Sequence, residues 1–320
     1  FLVSVIPLIF LAVILCIDVS RVDYAFIVRT MSSMVAIMSL ILMTNLVVRA
    51  NYDFAIAIDG LQRLGLASEN SENDTMLGGL INPNSLGIIC VLSATGLLQL
   101  RAVGGNRSID YLLLIILLVF GTLTSSRTFF VCLVLMGILL VMAQPGDLRK
   151  KGRLLAALTL VTVITLILMN WLFPSVLEYY IGRFAEEDIT TGRDTLMTAY
   201  HRFIVDNLDV MFSGVGLQNF GTKLLVEYRV AHNLPHNGFQ ELIVAWGIPG
   251  FVLFILLCVF MVLRSRKTNK DHILLNFIPF IIILTKSMAG QLLTSHYTML
   301  ALAYAYLSLC QDFQPKDGRN

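Results

Sequence analysis

Three short polar segments interrupt an otherwise apolar chain, and they carry the chemistry the sequence offers. The first is Ser125-Ser126-Arg127-Thr128, between two apolar runs. A guanidinium presents five donors in a planar fork and stays charged, so Arg127 suits a phosphate or diphosphate. The alternative is an interface anchor whose side chain snorkels to lipid headgroups. The second is Arg193, beside Asp194 at the start of a helix-patterned stretch. A cation there opposes the helix dipole, and a plainly solvated charge is the alternative. The third is Ala231-His232-Asn233-Leu234-Pro235-His236-Asn237-Gly238. Pro235 suits a helix start, which puts His236 in the first turn. The positive end of the dipole keeps an imidazole neutral there, able to accept a proton, and the free amides can receive a phosphate oxygen. A structural histidine at headgroup level is the alternative. His232 and His236 would need a third ligand to hold a metal, and Glu227 and Glu241 have no recognisable metal-site spacing, so no metal or other cofactor is expected.

Weaker signals lie nearby. Asn82-Pro83-Asn84 opens an apolar block, with Asn82 as N-cap and Pro83 at the first helical position as its structural explanation. Lys286, near the end of another block, and His296 just after it are candidates to face a cavity. A lysine within the membrane is functional by default, with snorkelling as its alternative near a helix end. The five cysteines (Cys16, Cys90, Cys132, Cys258, Cys310) lie in or beside apolar blocks without the close spacing of a metal site, and read as small lipid- or core-facing residues.

The elements that must position these residues are membrane helices. Of 320 residues, 57% are apolar and only 14% charged, and the mean hydropathy is +0.78. Soluble domains hold about 45–50% apolar and roughly 25% charged residues, so an ordinary globular enzyme, a disordered chain and a coiled coil are excluded. A net charge of +2 without a basic stripe gives no reason to expect a nucleic-acid partner. The apolar residues come in blocks near the length a helix needs to cross hydrocarbon. They predict about nine spans: Phe1–Ile17, Ala25–Val48, Leu80–Leu100, Tyr111–Leu123, Phe129–Ala143, Leu154–Phe173, Phe239–Leu263, His272–Ala289 and Tyr297–Cys310. The first block starts at Phe1 without a start Met, which suggests missing upstream spans.

Lys and Arg set the direction. Arg149, Lys150, Lys151 and Arg153 follow the fifth span, and Arg264, Arg266, Lys267 and Lys270 follow the seventh, so both connections are expected in the cytoplasm. Counting outward puts Arg127, the long connection Pro174–Gly238 and all three polar segments on the other side. That connection far exceeds the usual helix-to-helix loop, which marks it as functional or disordered. Its apolar content argues for order: Leu196, Tyr200, Phe203 and Asn207 fall on one helical face, and Ser213-Gly214-Val215-Gly216 reads as a break. The expected organisation is an all-α polytopic bundle. Residues 1–173 hold about six spans, 174–238 form a large helical extracytoplasmic catalytic loop, and 239–320 hold about three spans and a short cytoplasmic tail.

Together these pieces resemble the O-antigen ligase and polysaccharide polymerase family of bacterial membrane glycosyltransferases. The resemblance rests on Asn82-Pro83-Asn84, Ser126-Arg127-Thr128, Gly192-Arg193, Gly214-Val215-Gly216-Leu217, His236-Asn237-Gly238-Phe239-Gln240-Glu241 and Gly247-Ile248-Pro249-Gly250, in that order. It spans about Leu80 to Phe254. Thr128 departs from the small glycine common there, and the chain is short of the family's usual dozen or so spans.

The resemblance implies transfer of a glycan from a polyprenyl-diphosphate carrier to an acceptor hydroxyl, on the extracytoplasmic face of the bacterial inner membrane. It implies a metal-independent, inverting reaction with His236 as base and Arg127 and Arg193 on the diphosphate. Arg229, Lys223 and His232 are second-rank candidates for acceptor contacts, and Asn84, Asn237 and Glu241 complete the candidate site. Partners implied are the donor, the glycan acceptor, membrane lipids, and a chain-length regulator and flippase of the same pathway. Polymerisation of capsule or exopolysaccharide repeat units is the leading expectation. Ligation to a lipid or protein acceptor is the alternative. A transporter of lipid-linked glycans is the rival from another class, disfavoured because the spans are nearly free of charge and one loop dominates.

Overall fold

A computed structural model describes residues 22–53, 82–105, 107–143, 193–216, 237–265, 273–288 and 296–311, with isolated positions elsewhere. The described residues form helices and turns, with no strand among them. The helices are α1 Tyr24–Arg49, α2 Pro83–Ala102, α3 Ser108–Leu123, α4 Arg127–Ala143, α5 Arg193–Asp206, α6 Leu208–Ser213, α7 Gly238–Ser265, α8 Ile273–Met288 and α9 His296–Leu309. Among them, α1, α2 and α7 are long and apolar enough to cross a membrane, while α3, α4, α8 and α9 are shorter apolar helices. The expected first and sixth spans, Phe1–Ile17 and Leu154–Phe173, lie almost wholly outside the described residues.

The chain divides into two compact units, the first carrying α1–α4 and the second α5–α9. In the first, α2 packs against α1, α3 and α4 and is buried nearly all round. Its neighbours keep exposed apolar faces: Phe26, Met34 and Ile37 on α1, Leu112, Ile115 and Val119 on α3, Val131, Val134 and Ile138 on α4. Helices whose outward sides are almost wholly apolar, with the exposed Thr44 hydroxyl turned back to its own Leu40 carbonyl, are what a lipid solvent selects. At the C-terminal end of α2, Arg29 of α1 holds Asp110 through two hydrogen bonds of 2.9 and 3.0 Å and donates to the Gly105 carbonyl. Asp110 also accepts from the Arg107 amide at 2.7 Å. This ionic knot ties α1 to the α2–α3 connection.

In the second unit, α5 and α6 pack on α7, and α8 pairs with α9. The apolar face expected for the loop helix is the one buried: Leu196, Tyr200, Phe203 and Ile204 form a core with Val210 of α6 and Val244 of α7. The helix stops one residue short of the expected pattern, at Asp206. Asn207 turns its side-chain amide back to the Phe203 carbonyl (2.9 Å) and α6 begins after it.

The seventh span, expected as one helix, is broken at Gly247, whose φ/ψ of 69°/−173° are non-helical. The break leaves two carbonyls without their helical partners. Pro249 has no amide to give the Ala245 carbonyl four residues back, and the turn at Gly247 removes Ile248 from Val244. The chain after α6 supplies what is missing: the Val215 amide donates to the Val244 carbonyl and the Gly216 amide to the Ala245 carbonyl, both at 2.9 Å.

Candidate functional site

In the first unit, two of the sequence motifs meet. Asn82 caps α2, its side chain accepting from the Asn84 amide at 2.9 Å with Pro83 next in line. Asn84 then turns its own side-chain carbonyl to Ser126, whose hydroxyl donates to Oδ1 at 2.8 Å. The same Ser126 oxygen accepts from the Phe129 amide at 3.3 Å, the N-cap arrangement for α4. The hydroxyl thus serves both motifs at once.

Small residues make this approach possible. A Cβ on Gly87 would lie 3.0 Å from the Phe129 Cβ and 3.1 Å from the Thr124 hydroxyl, and one on Gly121 would strike the Phe129 ring at 2.3 Å. The fully buried Phe129 fills both gaps and draws the Thr124-Ser125-Ser126 turn against α2. The turn is buried, and Ser125 takes the left-handed conformation (φ 49°) to make it. Arg127 follows as the first residue of α4, half-buried, with its Nε shielded from solvent.

In the second unit, Arg193 is the first residue of α5. One turn on, the Met197 carbonyl accepts from the Gln240 side chain at 3.0 Å, which ties the beginning of α5 to the beginning of α7. Asn237 caps α7, its Oδ1 accepting from the Phe239 and Gln240 amides at 2.9 and 3.2 Å. Glu241 is fully buried in the first turn of α7, and its charge bears on Tyr200 of α5. Burial first and that negative charge second push the Tyr200 phenol well above the usual tyrosine range.

The helix therefore begins at Gly238, not at Pro235, and the expected placement of His236 in its first turn is corrected: His236 precedes the cap. Asn237, with its side chain shaped to cap, took the role that Pro235 suggested. His236, His232, Arg229 and Lys223 themselves lie outside the described residues, as do Thr191 and Gly192.

The structure thus joins Asn84 to the segment of Arg127, and the helix of Arg193 to the segment of Asn237 and Glu241. Among the described residues, no three His, Cys, Asp or Glu side chains are grouped to hold a metal ion. Gln240 escaped the sequence reading as a site residue, and nothing short of the α5–α7 packing signals its bond to Met197. Lys286, for which the sequence left two readings, is turned inward: its ammonium donates to Thr298 Oγ1 of α9 at 2.8 Å.

Among the described residues, the helices are apolar on their outward faces and three are long enough to span, the architecture of a polytopic helical membrane protein. Residues 112–255, from α3 into α7, match the family model described as O-Antigen ligase, which places this stretch in the O-antigen ligase and polysaccharide polymerase family. The match supports, at family level, a membrane glycosyltransferase-like protein of the ligase and polymerase type. The matched stretch includes every catalytic residue expected from the sequence. No curated protein matches the chain.

Proposed function

We propose that the protein polymerises polyprenyl-diphosphate-linked oligosaccharide repeat units on the extracytoplasmic face of the bacterial cytoplasmic membrane. The observation that carries this reading is that both arginines open helices, Arg127 at the start of α4 and Arg193 at the start of α5. A cation at the positive end of a helix is unfavourable alone, and becomes favourable once an anion joins the guanidinium and the free amides. A diphosphate leaving group is such an anion.

In this reading the imidazole of His236 takes the proton from the attacking sugar hydroxyl as that oxygen bonds to the anomeric carbon of the donor. The bond from that carbon to the diphosphate oxygen breaks, and the electron pair leaves with the polyprenyl diphosphate. Arg127 and Arg193 stabilise the charge that develops there, the role a metal ion plays in other glycosyltransferases. Direct displacement inverts the anomeric centre. General base catalysis of this kind contributes typically 10²–10⁴ in rate. Asn237 and Glu241 hold the start of α7, from which His236 extends, and Asn84 holds the turn that presents Arg127. Arg229, Lys223 and His232 contact the acceptor.

About nine spans, the three-part division at residues 173 and 238, and an outward-facing loop complete the proposal, with a flippase and a chain-length regulator as pathway partners. The match to an O-antigen ligase model favours a second reading, ligation to a lipid or protein acceptor, which shares this chemistry and differs only in what attacks.

The test is purified protein with a polyprenyl-diphosphate oligosaccharide. Product lengthening that survives EDTA and is lost in His236→Ala supports the reading. Unchanged turnover in His236→Ala removes the base, and strict dependence on added divalent metal removes the arginine role. Glycan translocation across vesicles without any new glycosidic bond replaces the enzyme with a transporter.

A further inference from the structure

Helix α7 carries no charge from Leu242 to Leu263, and Arg264 is the first cation after that stretch. At about 1.5 Å per residue, Gly247 lies about 25 Å along the helix from Arg264, within the roughly 30 Å of a hydrocarbon layer. The carbonyls that the break frees at Val244 and Ala245 are taken by the Val215 and Gly216 amides. In water they would need no such partners, whereas irregular backbone at membrane depth survives only where protein satisfies it. The break and the chain docked on it are therefore built for the bilayer.

Helix α6 shares that depth. The Phe212 carbonyl lies against Gly247 and the Gly214 backbone against the Ala245 carbonyl, with no room for a Cβ at either glycine. Leu208 and Phe212, one turn apart, stay outside the core that α6 forms with α5 and α7, and are 61% and 60% exposed. Trp246 and Ile248, which flank the break on α7, are exposed as well, so the apolar surface of the span continues at this level onto α6. The exposed Ser213 hydroxyl, next to Phe212, donates back to the Asp209 carbonyl at 2.7 Å and needs no water. Helix α5, by contrast, exposes Thr198, His201, Arg202 and Asp206, and its exposed Val205 stands at the end next to α6.

We infer that α6 is embedded in the leaflet at the Gly238 end of α7, with Leu208 and Phe212 against the acyl chains of membrane lipids, while α5 stays in water. Continuity with α7 names the occupant: a surface joined at this depth to the exposed face of a spanning helix meets the same solvent as that face. The change from polar α5 to apolar α6 is the pattern of an element lying in the membrane interface, with one side wet and the other in lipid. Part of the connection between the sixth and seventh expected spans is then a membrane element rather than a free loop. The placement stands whether the enzyme is a polymerase or a ligase.

The test is tryptophan fluorescence of the full chain in phosphatidylcholine nanodiscs, with Trp171→Phe and Trp246→Phe removing both native tryptophans. In that background Phe212→Trp is expected to lose emission to lipid brominated at the upper acyl carbons, as much as the native Trp246 loses in the Trp171→Phe protein. Aqueous iodide is expected to leave it unchanged. Thr198→Trp, on the exposed side of α5, is expected to do the reverse. Position 208 is equally exposed, so Leu208→Trp carries the same expectation where Phe212→Trp does not fold. Quenching of the α6 tryptophan by iodide overturns the inference and puts α6 in water. Quenching by neither agent overturns it too, because protein, such as a second copy of the chain, then covers the face. Quenching of Thr198→Trp by the brominated lipid overturns the division between α5 and α6.

Discussion

Gly214 and Gly247 face each other across the junction of α6 and α7, and neither position has room for a Cβ. One on Gly214 would lie 2.4 Å from the Ala245 carbonyl oxygen, and one on Gly247 would lie 2.4 Å from the Phe212 carbonyl oxygen. Both glycines also adopt φ near +69° with extended ψ, a region that is essentially glycine-only. Two backbones meet with no side chain between them, which is what lets the Val215 and Gly216 amides reach the carbonyls that Pro249 and the turn set free.

Gly247→Ala and Gly214→Ala are each expected to lower stability by about 1–3 kcal/mol from backbone conformation alone, and by more from the clash. The check is thermal unfolding in detergent with Gly104→Ala as control. Gly104 shares the positive φ (75°) but has nothing within 4 Å of its would-be Cβ, so its variant reads the cost of a positive φ without a clash. Equal losses at positions 104 and 247 would mean that the close approach adds nothing.

Pro249→Ala restores an amide four residues after Ala245, in competition with the Gly216 amide. Alanine is the better helix former, so the α7 helix is expected to hold or gain stability while the chain around Gly216 loosens. Hydrogen exchange reads the two effects separately: slower at α7 amides, faster at Val215 and Gly216.

Ser126→Ala removes both the hydrogen bond to Asn84 and the cap on α4, an expected loss of about 1–2 kcal/mol. Asn84→Ala removes the first and leaves the cap in place. A double-mutant cycle between them is expected to return a coupling of about 0.5–1.5 kcal/mol, and additive losses would show that the 2.8 Å bond contributes nothing.

The apolar helices were legible because lipid demands long apolar runs, and the sequence displays them. Ala25–Val48 became Tyr24–Arg49, and Phe129–Ala143 became Arg127–Ala143. The buried face of α5 was legible too, since period and polarity agreed there. What one-dimensional reading missed depends on partners distant in sequence. Pro249 and Gly247 stand in a stretch apolar enough to pass as one helix, and only the docked Val215 and Gly216 show where the break falls and how it is satisfied. The Arg29–Asp110 pair joins residues 81 positions apart, so no spacing rule reveals it. In the site, Asn82 as N-cap followed from local chemistry, whereas Asn84 meeting Ser126 did not. His236 was placed one turn too far into α7 because proline and asparagine both signal a helix start, and asparagine was the actual cap.

Tyr200 makes the α5–α7 packing sensitive to alkali. Its folded-state pKa is raised above the ordinary value of 10.0, so its contribution is complete below that pH and is lost as pH rises further. Because α5 lies outside the three long apolar helices, the transition is open to bulk titration. Limited proteolysis within residues 193–216 is expected to accelerate above about pH 10 in the wild type and to lose that step in Tyr200→Phe. The same step in both proteins would assign it to another group.

Asp110→Asn leaves the Arg29 guanidinium near the α2–α3 connection without its carboxylate, and Arg29→Met does the converse. Each single change is expected to cost about 3–5 kcal/mol, whereas Arg29→Met with Asp110→Leu costs far less because no lone charge remains buried. Denaturation in detergent measures all three. A double variant as unstable as the sum of the singles would mean the pair itself, rather than the avoidance of a stranded charge, stabilises this end of α2.

Arg127 and Arg193 are not expected to tolerate lysine, because their proposed task depends on shape as well as charge. A leaving diphosphate gains charge in the transition state, and a planar fork with several donors can follow that change where a single ammonium cannot. Arg127→Lys and Arg193→Lys are therefore expected to lower kcat about 10–100-fold with donor KM little changed, since the lost interaction belongs to the transition state. Lysine also keeps the net charge at the start of α4 and α5, so folding should be unaltered. If either lysine variant instead raised KM alone, that arginine would be binding the ground-state diphosphate and contributing nothing to its departure.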